Sequence, residues 1–281
     1  MPNENITTKV DKPPPEGPEC RRVYEGISEF AKNKTISQFE VLGGRFLKRA
    51  PDITIKTSVP VRVTGGGVKG KFIWLEFSDE TCLWITLGMS GYWSTGLKPH
   101  SHFRIGFDDG TALYFVDQRR FGTLKFTLKS ELSKKLSSLG LDMLNDQTSS
   151  MYDFVRKVEI PKVQKKTVAE ALMNQSLFAG VGNYIKCEML YRCRISPHRL
   201  VQDLTQDEIC QLWNWGKLIM QASYDQGGAS IRNYRQVNGE TGEFTFEFEV
   251  YAQKQDPNGN TVVREETLDG RTTHWVPEVQ R

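Results

Sequence analysis

The stretch Pro13 to Glu19 reads Pro-Pro-Pro-Glu-Gly-Pro-Glu and sets two carboxylates, Glu16 and Glu19, three residues apart among prolines. Proline fixes φ and donates no backbone hydrogen bond, so this stretch is stiff and aims its side chains in advance. The same residues also suit a linker entering the first turn of a helix. Further on, Gly65-Gly66-Gly67-Val68-Lys69-Gly70-Lys71-Phe72 reads as a flexible glycine loop that carries two lysines into a strand, with an exposed hairpin tip as the bland alternative. A phosphate-cradling nucleotide loop needs a Lys-Ser/Thr pair and a following helix. Both are missing, which speaks against a nucleotide-triphosphate site.

Two short runs add a pliable apolar group, a planar cation and a ring: Leu87-Gly88-Met89-Ser90-Gly91-Tyr92 and Asp117-Gln118-Arg119-Arg120-Phe121-Gly122. Methionine between glycines is usually packing. A guanidinium that grips phosphate or a base edge, beside a ring that wedges into a stack, is how a duplex is bent and opened. The richest tract is Met173 to Tyr184, in which Gly180-Val181-Gly182-Asn183 opens a helix with free backbone amides and an Asn cap. Such a helix start is a ready anion site, and the glycines let a phosphate approach closely; the plain alternative is a turn between helices. Lys165-Lys166 upstream adds positive charge.

The elements that must position these groups fall into three blocks. Residues 1–14 are polar and proline-ended and read as a disordered tail. Val23, Ile27 and Phe30 recur at helical spacing within Glu19 to Asn33. From Ile36 to about Phe126 the pattern changes to short β-branched and aromatic runs: Ile53 to Thr57, Phe72 to Phe77, Cys82 to Leu87, His102 to Phe107 and Thr111 to Val116. Asp108-Asp109-Gly110 marks a hairpin between the last two, and the block reads as a sandwich or flattened barrel. Helices are expected at Glu131 to Leu139, Met151 to Lys157, Val168 to Ser176, Asn183 to Arg192 and Thr205 to Tyr224, the last opened by a Thr205/Glu208 capping box. A terminal hairpin then pairs Glu243 to Tyr251 with Thr261 to Glu266 across Asp256-Pro257-Asn258-Gly259.

Composition sets the outer bounds. The 281 residues suffice for one large domain or two ordinary ones, and 38% hydrophobic with 25% charged residues suits a soluble globular chain. No apolar run reaches a membrane span, and the first residues lack the apolar core of a secretion signal. A net charge of only +3 means that nucleic-acid affinity must come from clustered basic residues. Five cysteines, an odd number with no Cys-x-x-Cys pair, argue against a disulfide framework or a cysteine-rich zinc site and for a reducing, intracellular compartment.

Taken together and in order, Pro-Glu-Gly-Pro-Glu, the Gly-Lys of Lys71, Leu-Gly-Met-Ser-Gly, Asp-x-Arg-Arg-Phe-Gly, Gly-Val-Gly-Asn-Tyr, Gly-Gly-Ala-Ser-Ile-Arg at 227 to 232 and Gly-Arg-Thr-Thr-His-Trp-Val-Pro-Glu-Val-Gln at the end resemble the DNA glycosylase/AP lyase family of formamidopyrimidine-DNA glycosylase and endonuclease VIII. The resemblance covers about residues 13 to 281. It implies an α+β fold: a tail at 1–14, a β-sandwich catalytic domain with a leading helix at 15–128, a helical helix-two-turns-helix domain at 129–228 and a terminal β-hairpin at 229–281. It further implies a bifunctional enzyme of base excision repair that flips an oxidised base out of double-stranded DNA and then cleaves the abasic strand by β,δ-elimination. It leans towards oxidised pyrimidines and formamidopyrimidines, and implies a monomer that uses no cofactor.

By the same resemblance Pro15 matches the nucleophilic terminal amine, Glu16 the general acid/base, Glu19 its support and Lys71 the catalytic lysine. Arg271 matches the residue that grips the lesion phosphate, and Asn183 and Lys165 match phosphate binders. Met89, Arg119 and Phe121 match the side chains that fill the hole left by the flipped nucleotide, and His100 a DNA-contacting histidine, with His102 close by. Two departures stand out. The four cysteines of a zinc finger would fall near Asn258, Thr261, Val276 and Val279, so no metal is expected and the hairpin resembles the zincless finger of part of the family. Pro15 lies inside the chain, where its nitrogen is a tertiary amide without a free lone pair. Proteolytic trimming that exposes Pro15, a later start of translation although no methionine lies between Met1 and Pro15, Pro2 freed by removal of Met1, and Lys71 stand as alternative sources of the amine. A lesion-binding protein of the same fold without lyase chemistry is the alternative reading.

Overall fold

The computed structural model describes residues 13–47, 57–227 and 247–281. Most of the tail, the run at 53–56, Pro2, the 228–232 motif and the first part of the Glu243 to Tyr251 strand lie outside the described residues.

Helix α1 (Gly17–Ala31) opens the described fold and buries Val23 and Ile27 against the sheet, as its apolar spacing predicts, while Phe30 is only partly buried and Ala31 is buried at the helix end. Eight strands follow: β1 (Thr35–Val41), β2 (Val61–Lys69), β3 (Phe72–Phe77), β4 (Thr81–Thr86), β5 (Tyr92–Ser94), β6 (Ser101–Phe107), β7 (Ala112–Val116) and β8 (Thr123–Leu128). They hydrogen-bond in the order β5-β7-β6-β1-β2-β3-β4-β8. β1 and β2 pair only through Thr35 and Ile36 with Arg62 and Val61. The sheet folds over at that short seam. Phe39 of β1 then meets Phe126 of β8 at 4.9 Å and Phe77 of β3 at 5.8 Å between ring centroids, so the two halves face each other as a sandwich. Asp108-Asp109-Gly110 turns β6 into β7, with the Asp109 carboxylate accepting from the Thr111 amide at 2.9 Å.

β1 was not legible in the alternation because a register shift between Ile36 and Gln38 breaks the period. The glycine tract is a correction. It is no flexible loop but the second half of β2, paired through Gly66 to Leu75 and Gly67 to Trp74. A Cβ on Gly67 would overlap the Trp74 indole, and one on Gly66 would stand 3.0 Å from the Tyr24 ring of α1. These glycines make room for neighbouring rings across the sheet.

The helical part contains α2 (Leu132–Ser137), the short β9 (Leu141–Asp142), α3 (Met151–Val158), α4 (Pro161–Gln164), α5 (Val168–Met173), the short β10 (Phe178–Ala179), α6 (Asn183–Arg192) and α7 (Gln206–Asp225). Thr205 caps α7 through the Glu208 amide, as the capping box predicts. α7 lies against α1, where the Tyr224 hydroxyl donates to both oxygens of Glu25 at 2.8 Å and the Arg21 guanidinium stacks 4.1 Å above the Tyr224 ring.

The terminal hairpin is built from β11 (Val263–Glu266) and β12 (Thr272–Trp275), one strand later than expected. Residues 249–251 form no ladder because the buried Glu188 carboxylate of α6 accepts the amides of Glu249, Val250 and Tyr251 at 2.8 to 3.1 Å. Their donors are already satisfied. The turn at Asp256 is real, its carboxylate accepting the Asn258 and Asn260 amides and the Tyr191 hydroxyl. Val276 is fully buried with Val250, Tyr251 and Val262, and Gln280 ties the Val276 amide to the Ile195 carbonyl. Packing and hydrogen bonds hold the positions 258, 261, 276 and 279, whose side chains offer no thiolate or imidazole.

Candidate active site

Three pieces of chain converge on one point through backbone contacts that only glycine permits. The Gly17 amide donates to the Gly180 carbonyl at 3.0 Å. A Cβ on Gly70 would collide with the Gly180 nitrogen and Ala179. Pro15-Glu16 at the start of α1, Gly70-Lys71 at the β2–β3 turn and the 180–185 segment are thereby pressed together.

Glu16 sits at the centre, 1% exposed. Its Oε1 accepts the Tyr184 amide at 2.9 Å and its Oε2 the Ile185 amide at 3.3 Å. The first turn of α6 is thus an anion site, as expected, but the anion that occupies these two amides is the protein's own carboxylate. Asn183 is likewise a correction: Gly182 is the N-cap and Asn183 the first helical residue. Its Nδ2 donates to the Thr272 carbonyl of β12 at 2.8 Å, and its Oδ1 is buried without a partner among the described residues.

Burial raises the Glu16 pKa from 4.5 to about 7, with the nearby Lys71 ammonium pulling it down and Glu19 pushing it up. A carboxyl poised near neutrality both donates and accepts a proton at working pH, which is what a general acid/base needs. Glu19, 2% exposed, accepts the Glu16 amide at 2.9 Å and the Tyr184 hydroxyl at 3.2 Å, and so fixes the backbone that carries Glu16. Ser223 of α7 completes this group, 3.0 Å from the Tyr184 hydroxyl.

Pro15 and Lys71 line one cleft of about 330 Å³ together with Cys20, Lys69, Phe72, Gly88 and Gln175. Pro15 is buried there. Burial pushes the Cys20 thiol far up, so it stays protonated and is no nucleophile. Gly182 closes the cluster: a Cβ on it would overlap both the Glu16 carboxyl and the Lys71 amine. Gly182→Ala is therefore expected to cost about 1–3 kcal/mol in overpacking and to displace the acid from the lysine. The expected result is a loss of at least about 100-fold in any acid/base activity of this cleft, in a variant whose far-ultraviolet dichroism is unchanged.

A second cluster forms at the rim. The buried Asp117 carboxylate accepts the Ser90 hydroxyl at 2.5 Å and the Gly122 amide at 2.7 Å, while the Arg119 amide donates to Ser90 at 2.9 Å. A Cβ on Gly88 would stand 2.9 Å from that of Phe121, so the Met89 loop and the Arg119–Phe121 loop touch. Phe121 is 53% exposed with the Arg119 guanidinium 5.3 Å from its ring, and Met89 is partly buried. His100 is exposed, whereas His102 is buried against the Asp117 carbonyl at 2.9 Å; the two neighbours divide into a surface group and a structural one.

Arg271 is exposed at the turn of the β11–β12 hairpin, beside the Asn183–Thr272 contact. Lys165 is exposed at the end of α4, on a different element from the Glu16 cluster. Sequence reasoning missed four residues that position the rest. Gly182, Asp117 and Tyr184 stood in motifs already singled out, though with no positioning role, whereas Ser223 gave no signal beyond helical spacing, because its partner Tyr184 is 39 residues away.

Models of the formamidopyrimidine-DNA glycosylase N-terminal, H2TH and C-terminal domains match residues 14–124, 139–235 and 239–281. The formamidopyrimidine-DNA glycosylase of Mycolicibacterium smegmatis is 30% identical over 281 residues, covering 95% of this chain and 97% of the relative. That of Halalkalibacterium halodurans is 30% identical over 280 residues, with 95% and 100% covered. The crystal structure of the MutM (Fpg) protein from Thermus thermophilus superposes with a TM-score of 0.82 at 26% identity, covering 95% of this chain and 98% of that one. The Lactococcus lactis Fpg in complex with abasic-site DNA shares the fold, with a TM-score of 0.81 at 23% identity over 95% and 99% of the two chains. From these matches over nearly its whole length, the chain belongs to the formamidopyrimidine-DNA glycosylase family.

Proposed function

We propose that this protein is a bifunctional DNA glycosylase and AP lyase that removes oxidised bases, oxidised pyrimidines and formamidopyrimidines foremost, from double-stranded DNA. The observation that carries this reading is the buried Glu16, its pKa raised to about 7, next in sequence to Pro15 and near Lys71, the two residues that line one cleft. A phosphate-binding surface alone has no use for an acid buried at that cost. Glu16 protonates and deprotonates the departing base and the sugar, Glu19 holds it, and Lys71 supplies the cation that the reacting sugar meets. An amine attacks the anomeric carbon, and the C1′–N bond to the base breaks as the C1′–N bond to the amine forms, the base leaving with a proton from Glu16. The amine then loses its proton, O4′ takes one as the C1′–O4′ bond opens, and the resulting Schiff base loses a C2′ proton as the strand is eliminated.

Met89, Arg119 and Phe121 fill the space of the flipped nucleotide; His100, Asn183, Lys165 and Arg271 bind the backbone. The comparison protein from Lactococcus lactis was crystallised with abasic-site DNA, which supports the same partner here. Arg119→Ala and Phe121→Ala are expected to weaken binding to lesion duplex about 10-fold while changing single-strand binding less than about 2-fold, because only a duplex has a stack to open. Equal effects on both would remove the wedge role. A panel of duplexes carrying single oxidised bases, read on denaturing gels for strand breaks, tests the activity. Nicks at the lesion with phosphate at both ends are expected; intact strands throughout would sink the proposal.

One observation favours a second reading. The Pro14–Pro15 peptide bond makes the Pro15 nitrogen an amide, and a protein with that bond intact binds lesions without forming the Schiff base through Pro15. Covalent capture on abasic DNA by borohydride separates the two, since a binder is not captured.

A further inference from the structure

α6 carries a lysine that the proposed chemistry does not use. Lys186 is fully buried, its Nζ 2.6 Å from Asp269 Oδ2 and 2.7 Å from Thr273 Oγ1. Asp269, whose side chain is 2% exposed, belongs to the β11–β12 turn. Its other oxygen accepts the Thr267 hydroxyl, whose oxygen lies 2.5 Å from Thr273 Oγ1 and 3.2 Å from the Arg271 carbonyl oxygen. The Thr267 amide donates to that same carbonyl at 3.1 Å, and the Gly270 amide to the Thr267 carbonyl at 2.8 Å. Every link from Lys186 to the backbone of Arg271 is thus a hydrogen bond between named atoms, and the side chains along that path are buried up to Arg271 itself.

We propose that the Lys186–Asp269 pair is a positioning device that holds the turn so that the exposed Arg271 faces the cleft at a set distance from Glu16. A buried ion pair is a costly way to join a helix to a turn, and an apolar pair of similar volume does the same for stability. What the charged pair adds is direction, since hydrogen bonds fix a turn in orientation and apolar packing does not. The ruler is α6 itself. The amides of Tyr184 and Ile185 grip Glu16, while Asn183 grips Thr272 and Lys186 grips Asp269 and Thr273, all within its first four residues. The acid and the arginine are thereby measured from one rigid turn of helix.

The inference rests on the proposed phosphate contact of Arg271, and its test separates the two. Duplex carrying a stable abasic-site analogue is titrated with the full chain across a range of salt. Loss of one phosphate contact lowers the slope of log K against log salt by about 0.9. Arg271→Ala is expected to lower it by that amount. The double variant Lys186→Met with Asp269→Leu is expected to do the same with little change in thermal midpoint, although neither buried side chain can touch DNA, and adding Arg271→Ala to it lowers the slope no further. Asp269→Asn, which keeps the side-chain volume, serves the same comparison should the double variant fail to fold. An unchanged slope in the folded variants, or losses that add to that of Arg271→Ala, would overturn the positioning role. An unchanged slope in Arg271→Ala alone would remove the phosphate contact itself, and the positioning proposal with it.

Discussion

A chain beginning at Pro15 is expected to be captured on abasic DNA by borohydride at least about 100-fold faster than the chain of 281 residues. The reason is the nitrogen's electronic state. Inside the Pro14–Pro15 bond its lone pair is delocalised into the carbonyl, so it is neither basic nor nucleophilic. As a terminal secondary amine with a pKa of roughly 8, an appreciable share is unprotonated at neutral pH. The cleft is already formed around it, with Pro15 buried beside Lys71, so trimming changes the reagent and leaves its surroundings in place. Expression from a methionine set before Pro15 yields the trimmed chain once that methionine is removed. Peptide mapping of the captured adduct then identifies the amine. Capture through Pro15 only after trimming is the expected result. Equal capture of both chains through Lys71 or Pro2 would assign the nucleophile elsewhere, and failure of both chains would leave no lyase to explain.

Glu16→Gln is expected to lower base excision by about 10³-fold or more while abasic-site affinity changes less than about threefold. The amide is nearly isosteric with the carboxyl, but one of its two positions becomes a donor facing the Tyr184 or Ile185 amide. That clash leaves a buried donor unmatched, at about 1–3 kcal/mol. The same substitution has a pH signature. The folded protein holds Glu16 near 7 against 4.5 in the unfolded chain, so the carboxyl's contribution to stability is fully present below about pH 4.5 and is lost as the pH rises through 7. At ~1.4 kcal/mol per unit the loss is on the order of 3 kcal/mol. Glu188, also raised to about 7 by burial, contributes a parallel loss in both proteins and cancels in the comparison. Thermal unfolding at pH 5 and pH 8 should therefore show the variant gaining on the parent as pH rises. A constant difference between the two proteins would mean that Glu16 is not the titrating group, and equal loss of excision and binding would make the carboxylate structural.

The motifs pointed to candidate residue types, because chemistry is carried by side-chain identity and identity is local. Pro15, Glu16, Lys71, Met89, Arg119, Phe121 and Arg271 were each singled out from short tracts. Regular helices were legible where period and caps agreed, as at Asn183 to Arg192 and after Thr205. What misled was backbone whose hydrogen bonds or space are decided by distant partners. Residues 249–251 have strand-like alternation, yet Glu188 takes their amides. The glycines of 65–67 look flexible in isolation, yet Trp74 and Tyr24 demand them in a strand. The β1 alternation was hidden by one bulge.

By itself the chain's order of residues determined the family, the α+β plan and the cast of candidate groups, since these depend on residue types at short spacing. Only the folded structure decided that Glu16 fills the anion site at the head of α6, that position 182 must lack a Cβ for the sake of an acid and a lysine, and that a buried lysine on the same helix reaches the turn of Arg271. Those facts depend on contacts between segments more than 80 residues apart, where burial sets a pKa and a missing Cβ sets a distance, and neither quantity exists until the segments meet.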